Sequence, residues 1–282
     1  MGLMDKVPAS AAFARIQSKA GSLIWHARDI ETLTVYEWDE KGVQQNAFGD
    51  QQVSIPAGAA RIELQLYNFP TCQLRKIYFP KGTRTPWHPN LDDTLFYSID
   101  ARQVEFVGTQ SFHARPGDVT LHPVGVDHHS ETLTAGWRLE FAFEAQPGKC
   151  GRDLIALPGD NMIRHDVVEW VEAGVCRRIV GNSEQSGCQF RARMFHFPIY
   201  TLHEQYFSAG SILPPHRNAS EKLIYVLQGR LRITTDTLTD ELTVGAMARL
   251  PAGKSFAREA LSDCVVIELT GHVAPRAYPR HD

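Results

Sequence analysis

Two histidines, His88 and His128, have a spacing that could bring them together around a metal ion. His88 follows Gly82 after five residues, and His128 follows the turn Pro123-Val-Gly125 after two residues. Alternate residues of a β-strand face the same side, so imidazoles on neighbouring strands can point into one barrel. Imidazole suits iron, manganese, nickel, copper and zinc, and two or three protein ligands leave positions open for a substrate or for oxygen. The spacing of the two histidines therefore indicates a site at which a small molecule reacts.

An internal repeat extends this pattern into the second half of the chain. Glycines, prolines, histidines and other residues recur without a gap at an offset of 128 positions. The pairs are Gly82 and Gly210, His88 and His216, Asn90 and Asn218, Tyr97 and Tyr225, Gly117 and Gly245, Pro123 and Pro251, and Gly125 and Gly253. We interpret the chain as a duplicated domain.

Short β-strands must position these residues. Residues 61–67, 231–235 and 265–269 alternate in polarity or are rich in β-branched side chains, which is typical of strands. Many short strands punctuated by Gly and Pro predict an all-β barrel or sandwich in each copy. Two short helices are also predicted, at Ala11–Lys19 and Asp166–Ala173.

The length of 282 residues suffices for two domains of ordinary size. The stretch from Ala145 to Asp160 carries Pro and Gly and is the predicted boundary. We therefore predict a first domain with an N-terminal extension at residues 1–150 and a second domain at residues 151–282.

The composition argues against several classes of partner. A net charge of −3 does not favour nucleic acid or a membrane surface, and no apolar run reaches the roughly 18 residues that span a bilayer. The N-terminus lacks the apolar core of a secretory signal. The five cysteines include no Cys-x-x-Cys pair, so we interpret them as reduced thiols of a cytoplasmic protein. Phosphate-loop and Gly-x-Ser-x-Gly motifs are absent from the sequence.

The motifs of the first copy resemble those of the cupin superfamily. Gly82, five residues and His88 match the start of its first motif; Gly117, five residues, Pro123-Val-Gly125, two residues and His128 match its second. The resemblance covers roughly residues 60–144 and 190–271. It implies two tandem cupin barrels, each a double-stranded β-helix or jelly roll, with a few short helices. Metal-binding cupins usually use three His and one Glu as ligands.

The first copy departs from that ligand pattern. Asn90 stands at the position of the second histidine, and Thr94 at that of the glutamate. Asp92 would face the same side as Thr94, so His88, Asp92 and His128 could form a two-histidine, one-carboxylate set, as in oxygen-activating iron enzymes. We predict His88 and His128 as metal and catalytic residues, with Asp92, Asn90 or water completing the shell. Fe(II) is the first candidate among first-row divalent metals; the alternative is a metal-free pocket.

The second copy departs further from the pattern. His216 matches, but Asn218, Lys222 and Phe256 replace a histidine, the glutamate and the last histidine. A lysine ammonium would repel a dication, and a phenylalanine ring cannot ligate one. We expect this barrel to be structural.

Three further residues near the motifs carry expectations. We expect His122 to make a structural hydrogen bond or to line the mouth of the barrel. His129 should face away from His128, and Trp87 should face away from His88 into a core between sheets.

Three hypotheses about function follow. The resemblance implies a metal-dependent dioxygenase of the homogentisate and gentisate type, acting on a hydroxylated or carboxylated organic compound. The alternatives are an isomerase or lyase on a sugar acid or keto acid, with His88 or His128 as general base, and a non-catalytic small-molecule-binding protein. A homodimer is plausible because cupin barrels often pair through their sheets.

Overall fold

The structure is a computed structural model, and it is almost entirely β. It describes residues 23–30, 32–38, 44–46, 62–69, 72–85, 87–90, 92–143, 154–157, 163–165, 167–172, 175–180, 190–197, 200–218 and 220–271. Within these ranges the one helical element is a 3-10 turn at Ala27–Asp29. The described part of the chain includes no helix long and apolar enough to cross a membrane. The chain divides into two compact units.

The first unit contains the described residues from Ile30 to 157. Its strands are β2 (Thr32–Trp38), β3 (Gln44–Asn46), β4 (Ile62–Asn68), β5 (Cys72–Phe79), β6 (His88–Pro89), β7 (Asp93–Ser98), β8 (Arg102–Val107), β9 (Gln110–Ala114), β10 (Val119–His122), β11 (Asp127–Thr134), β12 (Gly136–Phe143) and β13 (Ile155–Leu157). They form an antiparallel sheet in the order β13-β10-β7-β12-β5-β4-β2-β3 and a smaller one in the order β6-β11-β8-β9.

The second unit contains the described residues 23–29 and 163–271. Its strands are β1 (Ile24–Trp25), β14 (Ile163–His165), β15 (Val167–Glu172), β16 (Val175–Val180), β17 (Phe190–His196), β18 (Tyr200–Phe207), β19 (Ile212–Arg217), β20 (Lys222–Gln228), β21 (Leu231–Thr235), β22 (Thr239–Leu242), β23 (Met247–Leu250), β24 (Ser255–Ala260) and β25 (Cys264–Gly271). The sheet orders are β1-β23-β20-β25-β18-β17-β14 and β19-β24-β21-β22, with β15 and β16 as a separate hairpin.

Both units confirm the all-β prediction, and their strand registers confirm the repeat. Antiparallel pairs around the interior of the first unit have counterparts in the second whose two residues are both shifted by 128. The matching pairs are His88 with His128 and His216 with Phe256, Thr94 with His122 and Lys222 with Leu250, and Phe96 with Glu140 and Ile224 with Glu268. The repeat therefore relates the interiors of the two units residue by residue.

Two strands lie near the division between the units. Strand β1 comes before Ile30 in sequence but pairs with β23 of the second unit, with Ile24 opposite Ala248. Strand β13 follows residue 150 but pairs with β10 of the first unit. The domain boundary at residue 150 stays a prediction, because residues 144–153 lie outside the described ranges.

The helix predicted at Asp166–Ala173 is wrong. Val167–Glu172 forms β15, which pairs along its length with β16. This segment is rich in β-branched and aromatic residues, which favour a strand once a partner strand is adjacent. The helix predicted at residues 11–19 lies outside the described residues.

The turn between β20 and β21 requires glycine at position 229. Gly229 has a φ of +77°, and a Cβ placed there would lie 2.0 Å from the main-chain oxygen of Asp263. We expect Gly229→Ala to lower the free energy of unfolding by about 2–4 kcal/mol, since it adds a left-handed alanine and displaces neighbouring backbone.

Gly253→Ala is the matched control for this substitution. Gly253 has a φ of +73°, but nothing lies within 4 Å of a Cβ built there, so only the backbone penalty of about 1 kcal/mol applies. Urea unfolding of both variants measures the difference in their free energies of unfolding. Equal losses would show that the backbone near Asp263 can shift at little cost in free energy.

Candidate active site

His88 and His128 lie directly opposite each other on β6 and β11. Their ring centroids are 4.3 Å apart, with the planes inclined by 52°. His128 is buried, and its Nδ1 lies 3.2 Å from the main-chain oxygen of Val126. A carbonyl oxygen only accepts, so Nδ1 carries the proton and the lone pair of His128 is on Nε2. The two predicted residues therefore share one location inside the first unit.

A third imidazole, His122, joins them. It ends β10, is fully buried, and its ring centroid lies 4.7 Å from that of His128 and 4.3 Å from that of Phe96. Neither of its ring nitrogens has a hydrogen-bond partner among the described residues. The structural hydrogen bond expected for His122 is therefore wrong. We call His88, His122 and His128 the histidine cluster.

Burial holds two members of the cluster in the neutral form. It lowers the pKa of His128 to about 3, and the nearby His88 adds to this effect. Burial also lowers the pKa of His122 well below its ordinary value, assisted by His128 and by the guanidinium of Arg138. At neutral pH both rings are uncharged and each has one free electron pair, the form that ligates metals or accepts a proton.

The position of His122 follows from strand register. His122 pairs with Thr94, which stands at the glutamate position of the motif, and paired residues of antiparallel strands point to the same face. His122 therefore brings an imidazole next to the place that the motif reserves for a ligand. The one indication in the sequence was the difference between the copies: the equivalent position of the second copy holds the apolar Leu250 in place of a histidine.

A buried ionic network, which sequence reasoning missed, adjoins the cluster. Arg138 Nη1 lies 2.7 Å from Glu105 Oε1, and Arg138 Nη2 lies 2.7 Å from Glu140 Oε1. Gln103 Oε1 accepts from Arg138 Nη1 at 2.9 Å, and the guanidinium lies 4.1 Å from the ring centroid of Phe96. All four polar side chains are buried. We call Arg138, Glu105, Glu140 and Gln103 the Arg138 network.

Glu105 connects this network to the histidine cluster. Its second oxygen, Oε2, lies 3.6 Å from Nε2 of His122 and has no hydrogen-bond partner within the described residues. Burial raises the pKa of Glu105, and the positive charge of Arg138 acts in the opposite direction. The carboxylate oxygen therefore lies beside the ring of His122, beyond hydrogen-bond distance but close enough to interact electrostatically with a proton on that ring.

Asn90 and Asp92 lie at the end of the barrel where β6 leads into β7. Asn90 is half-buried; its main-chain oxygen accepts from Gly125 at 2.9 Å, while its side-chain Nδ2 is buried without a partner in the described ranges. Asp92 is half-buried, and its main-chain oxygen accepts from Thr94 Oγ1 at 3.4 Å. Their roles as ligands stay predictions.

The donor types of the cluster suit a first-row metal, but the rings are not arranged around one point. Three neighbouring imidazoles supply nitrogen donors of the kind that such a metal binds. Among the described residues, however, no three His, Cys, Asp or Glu side chains stand in a geometry that could hold a metal ion. The imidazoles would have to turn from their ring-to-ring contacts to bind one.

The outer face of β11 carries a small aromatic cluster. His129 faces away from His128, as predicted, and stacks on Phe106 at 4.4 Å with nearly parallel rings. Trp87 packs on His129 at 4.3 Å but remains 51% exposed. The core position expected for Trp87 is therefore wrong, because about half of its side chain is open to solvent.

The equivalent interior of the second unit is built from ions and apolar groups. His216 contacts Phe256 at a centroid distance of 4.5 Å, where the first unit pairs His88 with His128. Lys222 Nζ lies 2.5 Å from Glu268 Oε1, and Arg258 bonds the other oxygen of that carboxylate. A salt bridge thus occupies the glutamate position of the motif, held by Lys222, and the ring of Phe256 occupies the position of the last histidine.

Comparison with known proteins identifies the fold. No protein-family model matches the sequence, and no curated protein matches it. Solved structures do match, among them oxalate decarboxylase from Lactobacillus farciminis (10% identity, 91% of this chain and 87% of that chain, TM-score 0.59), AerE from Microcystis aeruginosa (10%, 79% and 97%, 0.58) and a salicylate 1,2-dioxygenase from Pseudaminobacter salicylatoxidans (12%, 71% and 71%, 0.50). At these identities the likeness establishes the fold and nothing finer.

Proposed function

We propose that this chain, which has the two-barrel cupin fold, is a small-molecule enzyme whose active site is the histidine cluster of the first unit. The observation that carries the proposal is the state of His122. Both of its ring nitrogens are buried without a hydrogen bond in the described structure. An unsatisfied buried polar group is costly unless a ligand completes it, so the cluster is built to receive one.

The ligand of the cluster is a first-row divalent metal, with Fe(II) as the first candidate. His88, His122 and His128 would hold it, and Asp92 or Asn90 would be the further ligands that the sequence offers. Such a metal supplies Lewis acidity and a binding position for oxygen. The fold is shared with a salicylate 1,2-dioxygenase and an oxalate decarboxylase, and both names support a hydroxylated or carboxylated organic substrate. The dioxygenase alone supports oxidative cleavage as the reaction.

The side chains of the first unit would prepare the site in three ways. The carbonyl of Val126 fixes the tautomer of His128, which leaves Nε2 as its donor. Glu105 places a carboxylate oxygen 3.6 Å from Nε2 of His122, and Arg138 offsets part of the free energy needed to bury that carboxylate. Phe96 packs on both His122 and the guanidinium and so excludes water from the junction of the cluster and the Arg138 network.

A metal-free isomerase or lyase is the second candidate. The contact between Glu105 and His122 favours it, because a carboxylate beside an imidazole suits proton transfer. In that case a neutral histidine of the cluster accepts a proton from a sugar acid or keto acid, and Glu105 stabilises the resulting imidazolium.

Metal content separates these candidates. We expect about one metal ion per chain after anaerobic reconstitution with Fe(II), measured by elemental mass spectrometry, and its loss in the His88→Ala/His128→Ala double variant. His216→Ala is the matched control and should keep the metal. Oxygen uptake with aromatic and keto-acid substrates then tests the dioxygenase. A metal-free wild-type protein after reconstitution would contradict the metal proposal and leave the isomerase, lyase or binding protein.

The repeat supplies a variant that tests His122 itself. Leucine occupies the equivalent position in the second unit, so we expect His122→Leu to fold. Removing a buried, unpaired imidazole should leave the free energy of urea unfolding unchanged or raise it by about 1–3 kcal/mol, while metal affinity falls at least tenfold. Full metal occupancy in this variant would exclude His122 from the site.

A further inference from the structure

The carboxylate of Glu105 uses one of its two oxygens for hydrogen bonding in the described structure. Oε1 accepts from Arg138 Nη1 at 2.7 Å, whereas Oε2 is buried and has no hydrogen-bond partner among the described residues. Oε2 lies 3.6 Å from Nε2 of His122, which is also buried and makes no hydrogen bond within the described ranges. A buried acceptor and a buried ring nitrogen therefore lie side by side, each still requiring a partner.

The distance between these two atoms matches that between two ligands of one metal ion. Metal–nitrogen and metal–carboxylate bonds are about 2.0–2.2 Å long, so two ligand atoms at a tetrahedral angle lie roughly 3.3–3.6 Å apart. A direct hydrogen bond between them would be about 2.7–3.2 Å long, which is shorter than the observed separation. The separation therefore fits an ion bound by both atoms better than it fits a shared proton.

The second unit shows that the barrel itself does not need these polar side chains. Strand register gives four buried polar residues of the first unit an equivalent at an offset of 128, and all four equivalents belong to one apolar core cluster. The equivalents are Leu250 for His122, Ile233 for Glu105, Val266 for Arg138 and Leu231 for Gln103. A buried ion pair can often be replaced by apolar residues without loss of stability. Glu105 and His122 therefore occur together in the first unit for a reason other than folding.

Arg138 determines which oxygen of Glu105 is available. Its Nη1 bonds both Glu105 Oε1 and Gln103 Oε1, so this side of the carboxylate is held by the guanidinium. The guanidinium also packs on Phe96, whose ring contacts that of His122. These contacts leave Oε2 as the oxygen beside the histidine cluster.

We infer that Glu105 is the carboxylate ligand of the metal ion and binds it through Oε2, next to His122. The inference rests on the function proposed above, and it assigns to β8, outside both sequence motifs, the ligand that the sequence predicted at Asp92 or Asn90. His88 and His128 would join through the ring rotations that metal binding by the histidine cluster requires. Three imidazoles and one carboxylate are a donor set for a first-row divalent ion.

Co(II) is the probe for this ligand, because its visible absorption reports the ligand set as well as the occupancy. Anaerobic titration of the full-length wild-type chain should show about one Co(II) per chain. Glu105→Gln keeps an amide oxygen for Arg138 but loses the charged ligand. We expect its affinity for Co(II) to fall by about a hundredfold or more, and the visible band of the residual complex to shift.

Glu140→Gln is the matched control, because it removes the same charge from the same guanidinium. Glu140 bonds Arg138 through Nη2, whereas Glu105 is bonded through Nη1. We expect Glu140→Gln to lower the affinity by at most about tenfold and to keep the wild-type band. Asp92→Asn, which removes the competing carboxylate, should also keep that band.

Equal losses of affinity in Glu105→Gln and Glu140→Gln, with the wild-type band in both, would overturn this inference and leave the metal proposal intact. A wild-type chain that takes up neither Co(II) nor Fe(II) would overturn both. A shifted band in Asp92→Asn alone would assign the carboxylate ligand to Asp92. If Glu105→Gln does not fold, the double variant Glu105→Ile/Arg138→Val takes its place, since it copies the apolar pair of the second unit.

Discussion

Replacing Arg138 with methionine should lower the free energy of unfolding by about 3–5 kcal/mol. The guanidinium is buried between Glu105 and Glu140, at 2.7 Å from an oxygen of each. Methionine fills much of its volume but leaves Glu105 without its cation and Glu140 with only the more distant Arg75, and an unpaired buried charge is far more destabilising than a missing pair. Urea unfolding measures the loss.

Arg75→Met is the control for this prediction. Arg75 Nη1 also approaches Glu140, but at 3.7 Å and with 21% of the side chain exposed. Solvent screens such a pair, so we expect a loss of at most about 1 kcal/mol. Equal losses in the two variants would mean that the Arg138 network contributes no more than a surface ion pair.

The loss in Arg138→Met should also grow with pH. Burial raises the pKa of Glu105 even with Arg138 present, and removing the cation raises it further. A carboxyl group whose pKa is raised on folding stabilises the folded state below its unfolded pKa of about 4.3, and this stabilisation is lost as pH rises through the folded pKa. The difference from wild type should therefore be smaller at pH 5 than at pH 8.

The outline of the fold was predictable because the repeated residues include the glycines and prolines that tight turns require. Gly125 and Gly253 follow the same Pro-x-Gly pattern, and their amides donate to the main-chain oxygens of Asn90 and Asn218 at 2.9 and 2.8 Å. Such local backbone requirements survive in sequence after the chemistry of the interior has changed. The spacing of His88 and His128 from these turns predicts that the two rings lie together, and the pairing of β6 with β11 confirms it.

The Arg138 network could not be predicted in this way. Alternating charged and apolar residues in a strand usually indicate one exposed face. In β12 both faces are buried: Leu139 and Phe141 pack on one, while Arg138 and Glu140 lie on the other beside Phe96. Glu105 lies on β8 of the smaller sheet, whereas Arg138 and His122 lie on β12 and β10 of the larger one. Only the packing of the two sheets brings Glu105 to both residues, and the sequence of a single strand does not reveal it.

The two units neutralise an equivalent buried carboxylate in different ways. Glu140 and Glu268 occupy equivalent positions, yet the arginine that neutralises each comes from a different strand. In the first unit it is Arg138, two residues away on the same strand; in the second it is Arg258 on β24. The shared geometry of the barrels therefore accepts a buried carboxylate at this position but does not fix its partner.

Glu268→Gln is expected to be the most destabilising single change in the second unit. It leaves Lys222 and Arg258 buried together with no carboxylate, so the free energy of unfolding should fall by about 3–5 kcal/mol. Adding Lys222→Met to this variant removes the repulsion between the cations. The double variant should therefore be more stable than Glu268→Gln alone, and a double-mutant cycle measures the coupling.

The pH dependence of Glu268→Gln gives an independent check. Arg258 and Lys222 hold the pKa of Glu268 well below its ordinary value, against the effect of burial. A carboxyl group whose pKa is lowered on folding contributes stability above its unfolded pKa of about 4.3, and that stability is lost as pH falls toward the folded pKa. The wild type should thus lose its advantage over the variant between about pH 5 and pH 2. An advantage that stays constant over this range would show that the carboxylate acts through packing alone, and that its charge does not hold the two cations in place.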